Sequence, residues 1–324
     1  MRNNALDAAK IVACFFIVFV HVGSYSEIGT PWGETLRVMT RWAVPFFFLA
    51  SGFTIGSSDA GGILKRVNKL ISILFYGSVI YIPIIFYQTG DDYIKTINKI
   101  LSPDTFHYGL YGHLWFIGSL IAGLVLFWYA RSNLSHRQSL LLSCFIIFMC
   151  WFGDAIKSFG VQVWFFYLFR YLIGFALVYV GWSIGVGKIS VPKNNRVLSM
   201  IFIMCLLMMG TEYFVSFSYF DGTHGERQFP LACIPAALVL LFICVNSKVE
   251  RSFLSNAGEA YSLGIYIIHP LVIYVIGKIS GFYRIHIFSS EMLISGFSIS
   301  LVIMILINKY IPYPYKKLNG IGIK

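Results

Sequence analysis

The sequence predicts an all-α, polytopic integral membrane protein with about ten transmembrane helices and both termini in the cytoplasm. Three observations predict it. Of the 324 residues, 57% are hydrophobic and only 12% charged, against roughly a quarter charged in soluble domains. Apolar runs close to the ~20 residues that a helix needs to cross a bilayer recur along the whole chain. The loops between them alternate in charge, as the enrichment of Lys and Arg in cytoplasmic loops requires.

Ten runs fit that ruler: 6–25, 37–57, 69–88, 113–130, 138–153, 164–186, 197–218, 228–246, 260–278 and 291–310. The first opens with Asp7 and Lys10 and is followed by no small-x-small cleavage site, so it reads as a retained span rather than a signal peptide. The third contains Pro83, tolerated in membrane helices, and the fifth is short. Between the third and fourth lies the longest loop, 88–112, where DYIKTINKIL suggests a short surface helix. Arg2, Lys65, Arg66, Arg131, Arg137, Lys188, Lys193, Lys248, Arg251, Lys316, Lys317 and Lys324 fall on one side, which is therefore cytoplasmic. With Lys69, Arg196 and Lys309 that side holds fifteen basic residues, against seven on the other, Arg37, Lys95, Lys99, Lys157, Arg227, Lys278 and Arg284, where the acids Glu27, Glu34, Asp91, Asp92, Asp104, Asp154, Asp221, Glu226 and Glu291 gather. Trp32, Trp42, Trp115 and Trp164 mark the outer ends, where interfacial aromatics belong. A single membrane domain, 1–324, is expected, inserted as a multi-pass protein of the inner (plasma) membrane.

A net charge of +11 would point to nucleic acid in a soluble protein, but here the loop basics orient the chain and no nucleic-acid partner is expected. Cys14, Cys144, Cys150, Cys205, Cys233 and Cys244 lie in or beside apolar runs without CxxC spacing and read as packing residues. Neither HExxH nor GxSxG occurs, and the histidines show no ligand spacing, so no metal and no hydrolase triad are expected.

The residues that resist a purely structural reading are the polar ones inside the runs: Asp7, Lys10, His21, Arg41, Arg170, Glu212 and His269, with His113 opening the fourth. A charge at bilayer depth costs about 3 kcal/mol, so such groups face a cavity or a partner and mark function by default. From Lys10 to His21 the helix turns about 1,100°, only some 20° beyond three revolutions, so both share one face, about 16 Å apart along the axis. Asp7, three residues before Lys10, can pair with it. Arg41, His113 and Arg170 match His21 in depth. A bland reading stands beside these: Lys10, Arg41 and Arg170 can snorkel to the headgroups and His113 can cap its helix, while for Glu212 a functional and a purely structural role stand level. His21 and His269 are too short to snorkel, although a histidine bonded to a neighbouring helix remains open, and Pro270 accounts for part of the chemistry around His269.

At these residues the sequence resembles the membrane acyltransferase 3 family over nearly its whole length. That family opens its first helix with an arginine, ten residues, then a histidine, often with an aspartate three before the arginine. Asp7 and His21 fall in register and Lys10 takes the arginine position, keeping the charge but losing the bidentate fork. RWAVPFFFLASGF (41–53), HLWFIGSLI (113–121) and SLGIYIIHPL (262–271) resemble further family blocks in order and spacing. The length is most similar to the branch containing the enterobacterial common antigen O-acetyltransferase. The resemblance implies transfer of an acyl group, by default acetyl, from cytoplasmic acyl-CoA to a hydroxyl of an envelope polysaccharide or lipid-linked glycan.

On that reading His21 is the general base, helped by Asp7 and Lys10 on its helix, while Arg41 and His113 stabilise the oxyanion. Lys10, Lys65, Arg66 and Lys69 meet the phosphates of acyl-CoA, and Arg170, Glu212 and His269 contribute to the acceptor side. LKRVNK at a helix start is equally an ordinary topology signal. A relayed transfer through an acylated histidine or serine stays open, Ser24 and Ser51 lying in suitable spans. The competing reading from another class is a secondary transporter, or a membrane module that moves substrate for a partner enzyme; no inverted repeat favours it.

Overall fold

A computed structural model describes residues 3–220 and 227–321. Arg2, Asp221, Glu226 and Lys324 of the charge pattern lie outside them. Fifteen α-helices follow one another among the described residues: α1 (Asn4–His21), α2 (Trp32–Met39), α3 (Ala43–Phe53), α4 (Ala60–Ile80), α5 (Ile82–Gln88), α6 (Tyr93–Ile100), α7 (Pro103–Tyr108), α8 (Trp115–Asn133), α9 (His136–Lys157), α10 (Trp164–Gly185), α11 (Asn195–Tyr219), α12 (Cys233–Asn246), α13 (Phe253–Tyr283), α14 (Ser289–Tyr310) and α15 (Pro312–Leu318). Seven are long and apolar enough to cross a membrane, eight if the bent pair α4–α5 is one span. The chain is an all-α, multi-pass membrane protein.

Three predicted spans take a different form, and prolines account for two of them. The run 37–57 is broken at Thr40–Trp42 between α2 and α3. Pro45 has no N–H to offer the Arg41 carbonyl, so the i→i−4 ladder cannot run through this point. In the run 69–88, α4 begins earlier, at Ala60, and Pro83 follows a 44° bend between α4 and α5. The run 228–246 gives only the 14-residue α12, about 21 Å long against a hydrocarbon core of about 30 Å. The fifth run exceeds its expected length, because a Ser135 capping box starts α9 at His136 and the helix continues to Lys157. The helix expected over DYIKTINKIL is α6, capped by the Asp92 carboxylate on the N–H groups of Ile94 and Lys95.

Two packing cores organise the bundle. Helix α10, buried almost continuously from Ile173 to Ile184, sits among α3, α8 and α9. Helix α1 lies along α13, and a Cβ at Gly258 would stand 1.8 Å from the Asp7 carbonyl oxygen, so the two backbones touch where α1 begins. Small residues permit this approach inside a membrane, where packing rather than water drives association. Gly258→Ala is expected to push α1 off α13 and cost about 1–3 kcal/mol, visible as a lower thermal midpoint of the protein in detergent.

Five cysteines are buried, Cys144 is exposed, and all six are free. Trp32 and Trp164 are exposed. Trp42 is not an interfacial anchor but a core residue, edge-on to Phe16, Phe46 and Phe202. Its run turns inward at the α2–α3 break, so a position that hydropathy assigns to the surface is covered by α1 and α11.

Candidate functional site

Three histidines from three segments converge, and the break that Pro270 makes in the hydrogen bonding of α13 explains how two of them are held. Pro270 cannot donate to the Tyr266 carbonyl four residues earlier. The ring of His269 supplies the missing donor: its Nδ1 lies 2.8 Å from that carbonyl and 3.1 Å from the Ile265 carbonyl. The proton therefore sits on Nδ1, and Nε2 keeps its lone pair, buried and without a hydrogen-bond partner. One residue on, the Ile267 carbonyl accepts from Tyr81 Oη at 2.7 Å and His113 Nε2 at 3.1 Å. That fixes the other tautomer in His113, whose Nδ1 is buried and unpartnered, while the Tyr266 hydroxyl donates to the His113 carbonyl. The His269 ring centroid lies 5.1 Å from that of His21 and 5.6 Å from that of His113.

His21 is the accessible member of this group, and the surface it offers is the wall of a cavity of about 450 Å³. Arg37, Arg41, His113, Trp115, Arg170 and Gln228 share that wall. The Arg170 guanidinium stacks on Trp115, 4.2 Å from the ring centroid. Arg37, assigned to a loop from sequence, is buried, with Nη1 3.1 Å from Glu34 and 3.3 Å from the Gly23 carbonyl. The break at Thr40–Trp42 is what brings Arg41 to the cavity, together with Thr40, Val44 and Pro45.

At the other end of α1 a second cavity, about 440 Å³, is lined by Lys10, Arg66 and Lys69, by Ser51, Thr54 and Ser262, and by an apolar wall that includes Phe47, Ile73 and Phe116. Lys10 Nζ lies 2.9 Å from Asp7. Ile17 and Val44 belong to the walls of both cavities, which therefore meet back to back inside the bundle. Helix α1 carries Lys10 into one and His21 into the other, as their shared face requires.

The remaining sequence candidates fall elsewhere. Lys65 is exposed and lines neither cavity, and Ser24 is likewise exposed outside both. Ser51 does line the Lys10 cavity, its Oγ donating to the Phe47 carbonyl at 2.7 Å. Glu212 belongs to a structural network. Its Oε1 lies 2.8 Å from Arg227, whose Nε is 3.0 Å from Asp154, and its Oε2 accepts the Leu231 N–H at 2.8 Å. Asp154 also accepts the N–H groups of Gln228 and Phe229, at 3.0 and 2.8 Å. Since Gln228 and Phe229 line the His21 cavity, the network holds part of its wall. Sequence reading placed Asp154 and Arg227 in separate loops, and no local pattern links residues 73 positions apart.

Among the described residues no group of three or more His, Cys, Asp or Glu could hold a metal ion. No solved structure matches the chain. Among curated proteins it is similar to two amino-acid racemases of Enterococcus faecalis. One is 30% identical over 161 residues, 47% of this chain and 22% of that protein; the other is 23% identical over 303 residues, 86% and 42%. A serine/alanine racemase of Enterococcus gallinarum is 22% identical over 299 residues, 84% of this chain and 41% of that protein. The chain thus spans less than half the length of these relatives. The family model described as an acyltransferase domain matches residues 3–309, nearly everything that forms the two cavities. With a histidine cavity and a lysine cavity meeting inside one helical bundle, the chain belongs to the membrane acyltransferase 3 family.

Proposed function

We propose that this acyltransferase moves an acetyl group from cytoplasmic acetyl-CoA to a hydroxyl of an envelope polysaccharide or lipid-linked glycan, across the inner membrane. The observation that carries this reading is the pair of cavities sharing Ile17 and Val44. A donor and an acceptor arriving from opposite sides need such a meeting point. Lys10, Arg66 and Lys69 supply cations for the phosphates of the donor, and the apolar wall of the same cavity suits its pantetheine arm. The resemblance to the common antigen branch supports the choice of acetyl and of a glycan.

His21 takes the proton of the acceptor hydroxyl on a ring-nitrogen lone pair as the hydroxyl oxygen attacks the thioester carbonyl. Arg41 stabilises the negative charge that gathers on the carbonyl oxygen. The carbon–sulfur bond then breaks, and the proton held by His21 passes to the departing thiolate. His269 keeps its ring against His21, and His113 keeps its ring against His269, each with one nitrogen committed to a backbone carbonyl.

The purified protein is expected to bind acetyl-CoA and to hydrolyse it slowly without acceptor, whereas a transporter would do neither. Mass spectrometry of envelope glycans with and without the gene product then identifies the acceptor as the species that loses an acetyl increment. Neutralising Arg66 and Lys69 together is expected to weaken acetyl-CoA binding about tenfold or more, read by titration calorimetry, since each charge-assisted contact contributes about 1.5–3 kcal/mol. Unchanged affinity would remove the donor from this cavity.

A further inference from the structure

The cavity at the His21 end carries more positive charge than one oxyanion needs. Its wall holds Arg37, Arg41 and Arg170, and no aspartate or glutamate. Arg37 already bonds Glu34 and the Gly23 carbonyl, and Arg41 has the oxyanion role assigned above. Arg170 is the surplus. Its guanidinium lies over Trp115, its Nε is buried without a hydrogen-bond partner, and it forms no ion pair with any described residue. Stacking covers the face of a guanidinium and leaves its edge, where the donors form a fork that fits a carboxylate or phosphate. A cation held this way inside a membrane helix points to a ligand.

We propose that the acceptor carries an oxyanion, a phosphate or carboxylate on the saccharide or on its lipid carrier, and that Arg170 grips it while the hydroxyl meets His21. The proposal rests on the acceptor entering the His21 cavity. A volume of about 450 Å³ falls within the range of small-molecule sites, enough for a charged monosaccharide unit.

The test is a binding titration of the full-length protein in detergent with glucose 1-phosphate, glucuronate and glucose, following the thermal midpoint. Both anionic sugars are expected to raise the midpoint saturably, glucose to leave it unchanged, and inorganic phosphate to compete. Arg170→Gln should abolish the response, and Arg170→Lys, which keeps the charge without the fork, should weaken it about tenfold. Equal responses to glucose and glucose 1-phosphate would overturn the proposal, as would an Arg170→Gln protein that binds like the wild type. The wild-type comparison of charged with neutral sugar needs no variant, so a misfolded substitution does not leave the matter open. Repeating the titration in discs of phosphatidylcholine with and without phosphatidylglycerol separates the sources: competition by the anionic lipid assigns the phosphate to a lipid carrier, its absence to the saccharide. No acyl donor is present. Intact anion binding beside a failed thioester assay would remove the transferase reading alone, and acetyl transfer to neutral sugars without anion binding would remove this one alone.

Discussion

His21→Ala is expected to lower acetyl transfer by about 10² to 10⁴-fold, the range over which a positioned general base accelerates proton transfer. The effect should appear in kcat, because the imidazole acts when the hydroxyl is attacking and contributes little to holding either substrate. Stability should change little, since His21 faces a cavity instead of filling a packed core. Two measurements check this: transfer to the glycan acceptor, and the thermal midpoint of the same preparation. A correctly inserted, fully active His21→Ala protein would end the proposed mechanism. A loss of activity accompanied by a collapse of the midpoint would mean that the histidine cluster is a structural brace between α1 and α13.

Asp154→Ala is expected to be the most destabilising single substitution considered, by about 3–5 kcal/mol, because it removes one partner of a buried ion pair and leaves two backbone N–H groups without their acceptor. Asp154 is 2% exposed, and its carboxylate holds Arg227 together with two backbone N–H groups. Without it Arg227 retains Glu212, and the segment carrying Gln228 and Phe229 loses its anchor on α9. Thermal unfolding reads the first consequence. A raised KM for the acceptor, with acetyl-CoA affinity unchanged, reads the second, since only the His21 cavity includes that segment. Asp154→Asn, which keeps the shape and one acceptor oxygen, should fall between the two proteins.

How far the sequence reveals this arrangement depends on how local each signal is. The spacing of Asp7, Lys10 and His21 is contained in one helix, and the structure places Lys10 and His21 in adjoining cavities as the periodicity requires. Arg41 and Arg170 are legible as charges inside apolar runs, and both reach the His21 cavity. The break at Thr40–Trp42 is hidden because hydropathy averages across it, although Pro45 was the residue to weigh. Arg37 is missed for the same reason, since it sits where a run and a loop were divided. The Asp154–Arg227–Glu212 network joins three segments distant in the chain, so only the fold reveals it. His269 shows an intermediate case: Pro270 announces an irregular helix, but not that the neighbouring ring fills the vacancy and thereby commits its proton.

The partition between the two cavities is thin, formed in part by the aliphatic side chains of Ile17 and Val44. On the proposed arrangement, with donor and acceptor entering from opposite sides, an electrically energised membrane tolerates the two recesses only while an oily septum blocks a continuous file of water between them. Those side chains therefore act as an insulator as well as a wall, and a thioester that reaches across must itself become the plug. Trimming Ile17 to glycine is therefore expected to make proteoliposomes leak protons, read by a pH-sensitive dye trapped inside them.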